Sequence, residues 1–279
     1  MRLPPQLLSP IKNTMLVSII VLLLAFITLP KCDPPPPSPS RINKRLRQST
    51  VTLDGSFTVY GLLVNDHYSW SGSGVIISLD QDHYTILSNA HVVGTDGISG
   101  AKMFINPTIL TYTLEVTMPD DQKAPASAVF VNSNLKDFAL VYVNASVGNY
   151  PPLRLTRKHS DVGAQVFAMG EPLGLPRTFA NGIVSAYRSF PTPLGLEYEV
   201  VQHTVPISHG SSGGPLVDDY CNLIGINTLN ITDGSAQNLN FAITGETIAR
   251  SEKEWIRFPL NPADIGAFVV NLMKGRYKQ

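Results

Sequence analysis

Cysteine is nearly absent. Cys32 and Cys221 are the only two in 279 residues, which excludes both a disulfide-stapled scaffold and a four-thiolate zinc site. Charge is scarce as well, at 15% of residues, with Lys plus Arg balancing Asp plus Glu at 21 each. No surplus of either sign is left to bind a polyelectrolyte, so nucleic acid is not an expected partner. The histidines at positions 67, 83, 91, 159, 203 and 209 form no His-Glu-x-x-His unit, and no glycine loop runs into Gly-Lys-Ser/Thr. Zinc hydrolysis and phosphate-loop chemistry therefore lack a local signature, and no metal or cofactor is expected. Strands do not alternate with helices and no short-period repeat is present, which disfavours a nucleotide-binding parallel sheet and a solenoid.

Apolar residues are plentiful by contrast, at 43%, enough for a sizeable core. One apolar run stands apart from the rest. Met15–Leu29 is uncharged over its whole length, between a signal-peptide core and a full membrane span in extent. The run ends in Thr28-Leu29-Pro30-Lys31-Cys32, which lacks the small-x-small pattern that a signal peptidase reads. The segment 15–30 is thus expected to be an uncleaved membrane anchor following a tail 1–14, with a cleaved signal as the alternative. Basic residues flank both sides, so the positive-inside rule sets no orientation. A polyproline stretch after Cys32 and the basic run Arg41–Arg47 read as a solvated linker over 31–48.

From Ser49 onward, β-branched and apolar runs recur at short intervals and predict an all-β unit in two halves of about six antiparallel strands each, about 50–150 and 151–250. The first half holds Phe57–Val64, Gly74–Leu79, Tyr84–Leu87, Met103–Ile105, Leu110–Val116, Ala128–Val131 and Phe138–Val143. The second holds Gln165–Met169, Phe179–Tyr187, Leu196–Gln202, Pro215–Val217, Leu223–Leu229 and Leu239–Ile243. One helix is marked, at about 262–274. Asn261 caps it, Pro262 suits its first turn, and Ile265, Phe268, Val269, Leu272 and Met273 form its apolar stripe. It is expected to pack on the second half.

Three segments carry chemistry. Gly210-Ser211-Ser212-Gly213-Gly214 places a serine among glycines, whose backbone freedom lets successive N–H groups converge on one spot. Ser88-Asn89-Ala90-His91 follows a strand and sets a histidine at its end. Lys136-Asp137-Phe138 puts an acid at the rim of another strand. Each alone is more often structural, a loop, a core histidine or a turn residue. Together they supply a hydroxyl, a base and an orienting carboxylate.

With the stretches Gly72-Ser73-Gly74-Val75-Ile76-Ile77, Gly170-Glu171-Pro172-Leu173-Gly174, Asn181-Gly182-Ile183-Val184-Ser185-Ala186 and Leu223-Ile224-Gly225-Ile226-Asn227-Thr228, residues 50–250 resemble the trypsin-fold serine proteases of the HtrA (Deg) branch. The resemblance implies two six-stranded barrels, with His91 as general base, Asp137 as its partner and Ser212 as nucleophile. It implies oxyanion donors among the amides of Gly210, Ser211 and Ser212, and a substrate pocket walled by Ile207, Ser208, His209, Ile226, Asn227 and Thr228. Ser211 stands where the family more often has asparagine or aspartate, and too few residues follow Ile243 for the family's PDZ domain. The implied substrates are unfolded or damaged polypeptides, and the implied assembly is a homotrimer. A catalytically dead binding or chaperone module is the alternative. The expected location is a membrane anchor with the protease domain outside the cytoplasm, or export after cleavage.

Overall fold

The computed structural model describes residues 35–60, 65–94, 108–146, 148–175, 177–231 and 238–277. The expected anchor 15–30 and the strand Met103–Ile105 lie outside them. Among the described residues no helix is long and apolar enough to cross a membrane. The folded unit begins at Pro37, twelve residues earlier than the sequence suggests. Helix α1, Pro39–Arg47, occupies half of the supposed linker. Its polar residues dominate composition, but Ile42 and Leu46 recur at helical spacing and are buried in a cluster with Val75, Leu87, Phe138 and Leu153. Arg45 donates to the Pro152 carbonyl at 2.8 Å, so the helix is fixed to the body of the domain.

The strands are β1 (Thr50–Val59), β2 (Asp66–Leu79), β3 (His83–Ser88), β4 (Ile109–Thr117), β5 (Lys123–Pro125), β6 (Ala128–Asn132), β7 (Ala139–Asn144), β8 (Gln165–Gly170), β9 (Thr178–Pro191), β10 (Glu197–His203), β11 (Pro215–Asp218), β12 (Leu223–Ile231), β13 (Leu239–Thr244) and β14 (Trp255–Phe258). β1 begins seven residues before its expected start. Asp54, Gly55 and Ser56 resemble turn punctuation, yet burial alternates from Val51 to the end of the strand, as a half-buried strand requires. Gly55 is there for space, because a Cβ would overlap the Trp70 ring.

The second half closes as a six-stranded barrel in the order β10-β13-β12-β11-β8-β9. The first half does not form the expected six-stranded barrel. It is an eight-stranded sheet ordered β14-β6-β7-β3-β2-β1-β4-β5, in which β14 joins β6 from far along the chain, Ile256 opposite Val131. Two short helices complete the unit, α2 (Gly245–Arg250) and α3 (Pro262–Met273). The Asn261 side chain caps α3, accepting from the Ala263 amide at 3.3 Å. Its apolar stripe does not pack on the second half. Ile265, Phe268, Val269 and Leu272 enter the core of the first sheet, with the Phe268 ring edge-on to Phe258 of β14 at 5.4 Å. The stripe predicts a buried face but not its partner. β14 decides that, since its pairing carries the chain back to the first half. Cys221 lies in the β11–β12 turn with φ 65°, and burial pushes its thiol up to about 11.

Candidate active site

His91 begins a 3-10 turn, His91–Val93, directly after β3, and Gly94 at φ 97° ends it. Trp70 donates to the Val92 carbonyl at 2.7 Å and Tyr112 to the Val93 carbonyl at 2.8 Å, so two aromatic side chains hold the turn that carries the imidazole. Asp137 sits in the β6–β7 connection, where Leu135 and Asp137 both adopt positive φ, 58° and 26°. Such backbone is costly outside glycine. Here it turns the carboxylate onto His91, whose Nδ1 lies 3.0 and 2.9 Å from the two Asp137 oxygens. The His91 amide adds a third contact at 3.0 Å, and Asn89 Nδ2 grips the Asp137 carbonyl at 2.9 Å.

Burial pushes Asp137 up, but the His91 imidazole beside it and hydrogen bonds from His91 and the Thr228 hydroxyl outweigh that and hold the carboxyl below the usual carboxylate range. An ionised carboxylate only accepts. His91 Nδ1 is therefore the protonated nitrogen of the neutral ring, which makes Nε2 the basic one.

Ser212 comes from the second half, in the turn between β10 and β11. Gly210 at φ 94° and Gly213 at φ 81° are required there, since a Cβ on the first would overlap the Glu171 carbonyl and one on the second the Ser73 carbonyl. The turn is braced from outside. The Ser73 hydroxyl donates to the Gly210 carbonyl at 2.7 Å, and the Leu173 amide to the His209 carbonyl at 2.8 Å. Among the described residues the Gly210 and Ser212 amides donate to no protein acceptor. Ser211, expected as a third donor, is spoken for: its amide donates to the Ser208 carbonyl at 2.9 Å, and its hydroxyl accepts from the Ser208 amide at 3.3 Å. Its buried side chain thus braces the loop. Ser212 Oγ lies 3.5 Å from the Thr228 carbonyl.

His91, Asp137 and Ser212 line one cleft of about 490 Å³ between the two halves, with Ile207, Ser208, His209 and Thr228. Ile226 and Asn227 are not in it. They are 0% and 1% exposed: Ile226 packs in a core cluster with Val217, Leu223 and Ile243, and the Asn227 backbone pairs with Gly213 and Gly214 at 2.8 and 2.9 Å. Leu229 and Asn230, further along the same strand, line the cleft with Thr228, and Asn230 Nδ2 donates to the Ile207 carbonyl at 3.3 Å. Sequence reasoning missed the wall built by the β9–β10 hairpin, Phe190, Pro191, Pro193 and Tyr198, and the contribution of Leu272 and Met273 from α3. It also missed the Thr228 hydroxyl, which donates to Asp137 Oδ2 at 2.6 Å. A lone threonine in a strand gives no local sign of that role.

Residues 72–226 match the trypsin-like peptidase domain family. Serine protease HTRA1 of Xenopus tropicalis is 34% identical over 64% of this chain and 35% of its own length. The serine endoprotease DegS of Escherichia coli is 30% identical over 83% of this chain and 62% of its own. The crystal structure of Deg5 superposes with a TM-score of 0.55 at 24% identity, covering 76% of this chain and 90% of that one, a likeness of fold. The chain spans 35% to 44% of the length of the first curated relatives it matches.

Proposed function

The chain belongs to the trypsin-like peptidase domain family, and from that premise we propose that it is a serine endopeptidase in which Ser212 forms an acyl-enzyme with the substrate. The carrying observation is that His91 Nδ1 is locked by Asp137 at 2.9 Å while Ser212 shares its cleft. In this reading His91 takes the Ser212 proton as Oγ attacks the peptide carbonyl, and returns it to the departing amine. Asp137 stays ionised, fixing the ring and stabilising the imidazolium. The amides of Gly210 and Ser212 meet the carbonyl oxygen as it becomes negative. Water then enters by the same route and releases the acid.

The residue whose carbonyl is attacked packs against Ile207 and Leu229. Among the described residues no Lys, Arg, Asp or Glu lines the cleft apart from Asp137, which is already paired, so a buried Lys or Arg side chain would lack a counter-ion. Small and medium aliphatic residues are the fitting ones. Such residues are exposed mainly in unfolded or damaged polypeptides, which makes those the proposed substrates. We further take residues 15–30 to tether the unit to a membrane, with the peptidase outside the cytoplasm.

The test is incubation of the chain with denatured casein and with a serine-directed phosphonate, alongside Ser212→Ala. Cleavage after Val, Ala, Ile or Leu and labelling of Ser212, both lost in the variant, are expected. Cleavage that survives Ser212→Ala, or that falls mainly after Lys or Arg, overturns the reading.

A further inference from the structure

The last turn of α3 ends at the active-site cleft. The helix buries one face, Ile265, Phe268, Val269 and Leu272 being 0%, 7%, 3% and 2% exposed, yet the next residue, Met273, is 43% exposed. A single exposed methionine needs no explanation. This one lines the same cleft as His91 and Leu135, so its apolar surface is presented to whatever occupies that cleft. We infer that Met273 is a specificity-determining residue, forming with Leu135 the wall that receives the substrate side chain immediately before the residue whose carbonyl is cut. This deepens the peptidase reading above and rests on it.

The argument is one of strand geometry. A polypeptide entering the cleft in extended form aligns beside the end of β12, where Thr228, Leu229 and Asn230 line the wall, as an added strand does. Side chains of an extended chain alternate between faces. If the residue to be cut directs its side chain toward Ile207, the one before it faces the opposite wall, the side of His91, Leu135 and Met273. Beside the paired His91 and Asp137, that side offers Leu135 and Met273, and among the described residues it contains no Lys, Arg or Glu, so a charged side chain there would be desolvated without a free counter-ion. Methionine is unbranched and adapts to varied shapes, which suits Leu, Met or Phe and does not fix one of them.

The experiment compares internally quenched peptides that carry Val at the cut position and Leu, Gly, Glu or Lys just before it. They are cleaved by the wild-type chain, Met273→Ala, Met273→Glu and Met273→Lys. Because Met273 is half in solvent, these variants should keep the fold, which thermal unfolding checks; should Met273→Glu unfold, Met273→Ala carries the comparison. For the wild type, Leu should exceed Glu by roughly tenfold to a hundredfold in kcat/KM. Met273→Ala should narrow that gap through KM with kcat held, and Met273→Lys should improve the Glu peptide at least several-fold. Preferences at this position that are the same in all four proteins overturn the inference while leaving the peptidase reading intact. Absence of turnover together with absence of phosphonate labelling at Ser212 overturns both.

Discussion

The Thr228 hydroxyl reaches across the boundary between the two halves of the domain to Asp137 Oδ2, at 2.6 Å. Asp137 and His91 belong to the eight-stranded sheet, while Thr228 and Ser212 belong to the barrel. The carboxylate that orients the imidazole is therefore itself oriented from the side that bears the serine.

Replacing Thr228 by Val removes that donor and keeps the shape. A hydrogen bond to a charged group is worth about 1.5–3 kcal/mol, so kcat/KM should fall by roughly tenfold to a hundredfold. The sign of the pH effect follows from Asp137 being held below the ordinary carboxylate range: its ionised form stabilises the fold above that range, and this is lost as pH falls through the folded value. With one donor gone the folded value rises, so acid inactivation should begin at higher pH. Asp137→Asn should be far more damaging, costing activity on the order of 10⁴ through the wrong imidazole tautomer. Stopped assays across pH 3–8 measure both.

Gly210→Ala tests the turn. Its φ of 94° and the Glu171 carbonyl leave no space for a methyl group, so the 209–210 peptide must move and its amide leave the site. Losing one oxyanion donor costs about 10²–10³ in kcat. Single-turnover kinetics should show slowed acylation with KM little changed. Near-normal acylation would mean that this amide faces elsewhere in the working enzyme.

His203 is 0% exposed, and among the described residues no partner stands within full hydrogen-bond geometry of its two ring nitrogens. Burial pushes it from 6.5 down to about 4, against a smaller upward pull from the neighbouring Asn227. The neutral ring's contribution to stability is whole above 6.5 and is lost as pH falls toward 4, because the unfolded chain takes up a proton that the folded one refuses. The loss amounts to something on the order of 3 kcal/mol. Unfolding temperature should drop between pH 6.5 and 4.5 more steeply in the wild type than in His203→Phe.

Leu46→Ala tests whether α1 belongs to the fold. Leu46 is 0% exposed, and a buried Leu→Ala change costs about 2–5 kcal/mol, at roughly 2–4 °C of Tm per kcal/mol in a domain of this size. A fragment starting at Ser49 should be destabilised at least as much. Equal Tm for fragments starting at Pro37 and Ser49 would show the helix to be a passenger.

His91, Asp137 and Ser212 were legible because each lies in a segment whose local chemistry is unusual: a histidine at a strand end, an acid at a strand rim, a serine flanked by glycines. Ser211 misled because a backbone amide's direction depends on a partner, Ser208, that the sequence does not mark. Ile226 and Asn227 misled for a related reason. The cleft wall begins where β12 shifts register against β13, between Asn227 and Leu229, and that bulge depends on the partner strand and not on β12 itself. In α1, basic residues surround only two apolar positions, so composition hid an amphipathic pattern. β14 has four residues among charged neighbours, and its strand character comes from pairing with β6, over a hundred positions away.

That distant pairing also bears on how the domain is made. Synthesis proceeds from the N-terminus, and sub-structures fold as they emerge. The first sheet, although its other strands are translated early, lacks the β14 edge strand and the α3 side chains that fill its core until the ribosome has passed Met273. Throughout elongation the nascent sheet exposes β6 as an open edge and an uncovered apolar floor. It is completed only when the last helix arrives, in the same event that brings Met273 to the cleft.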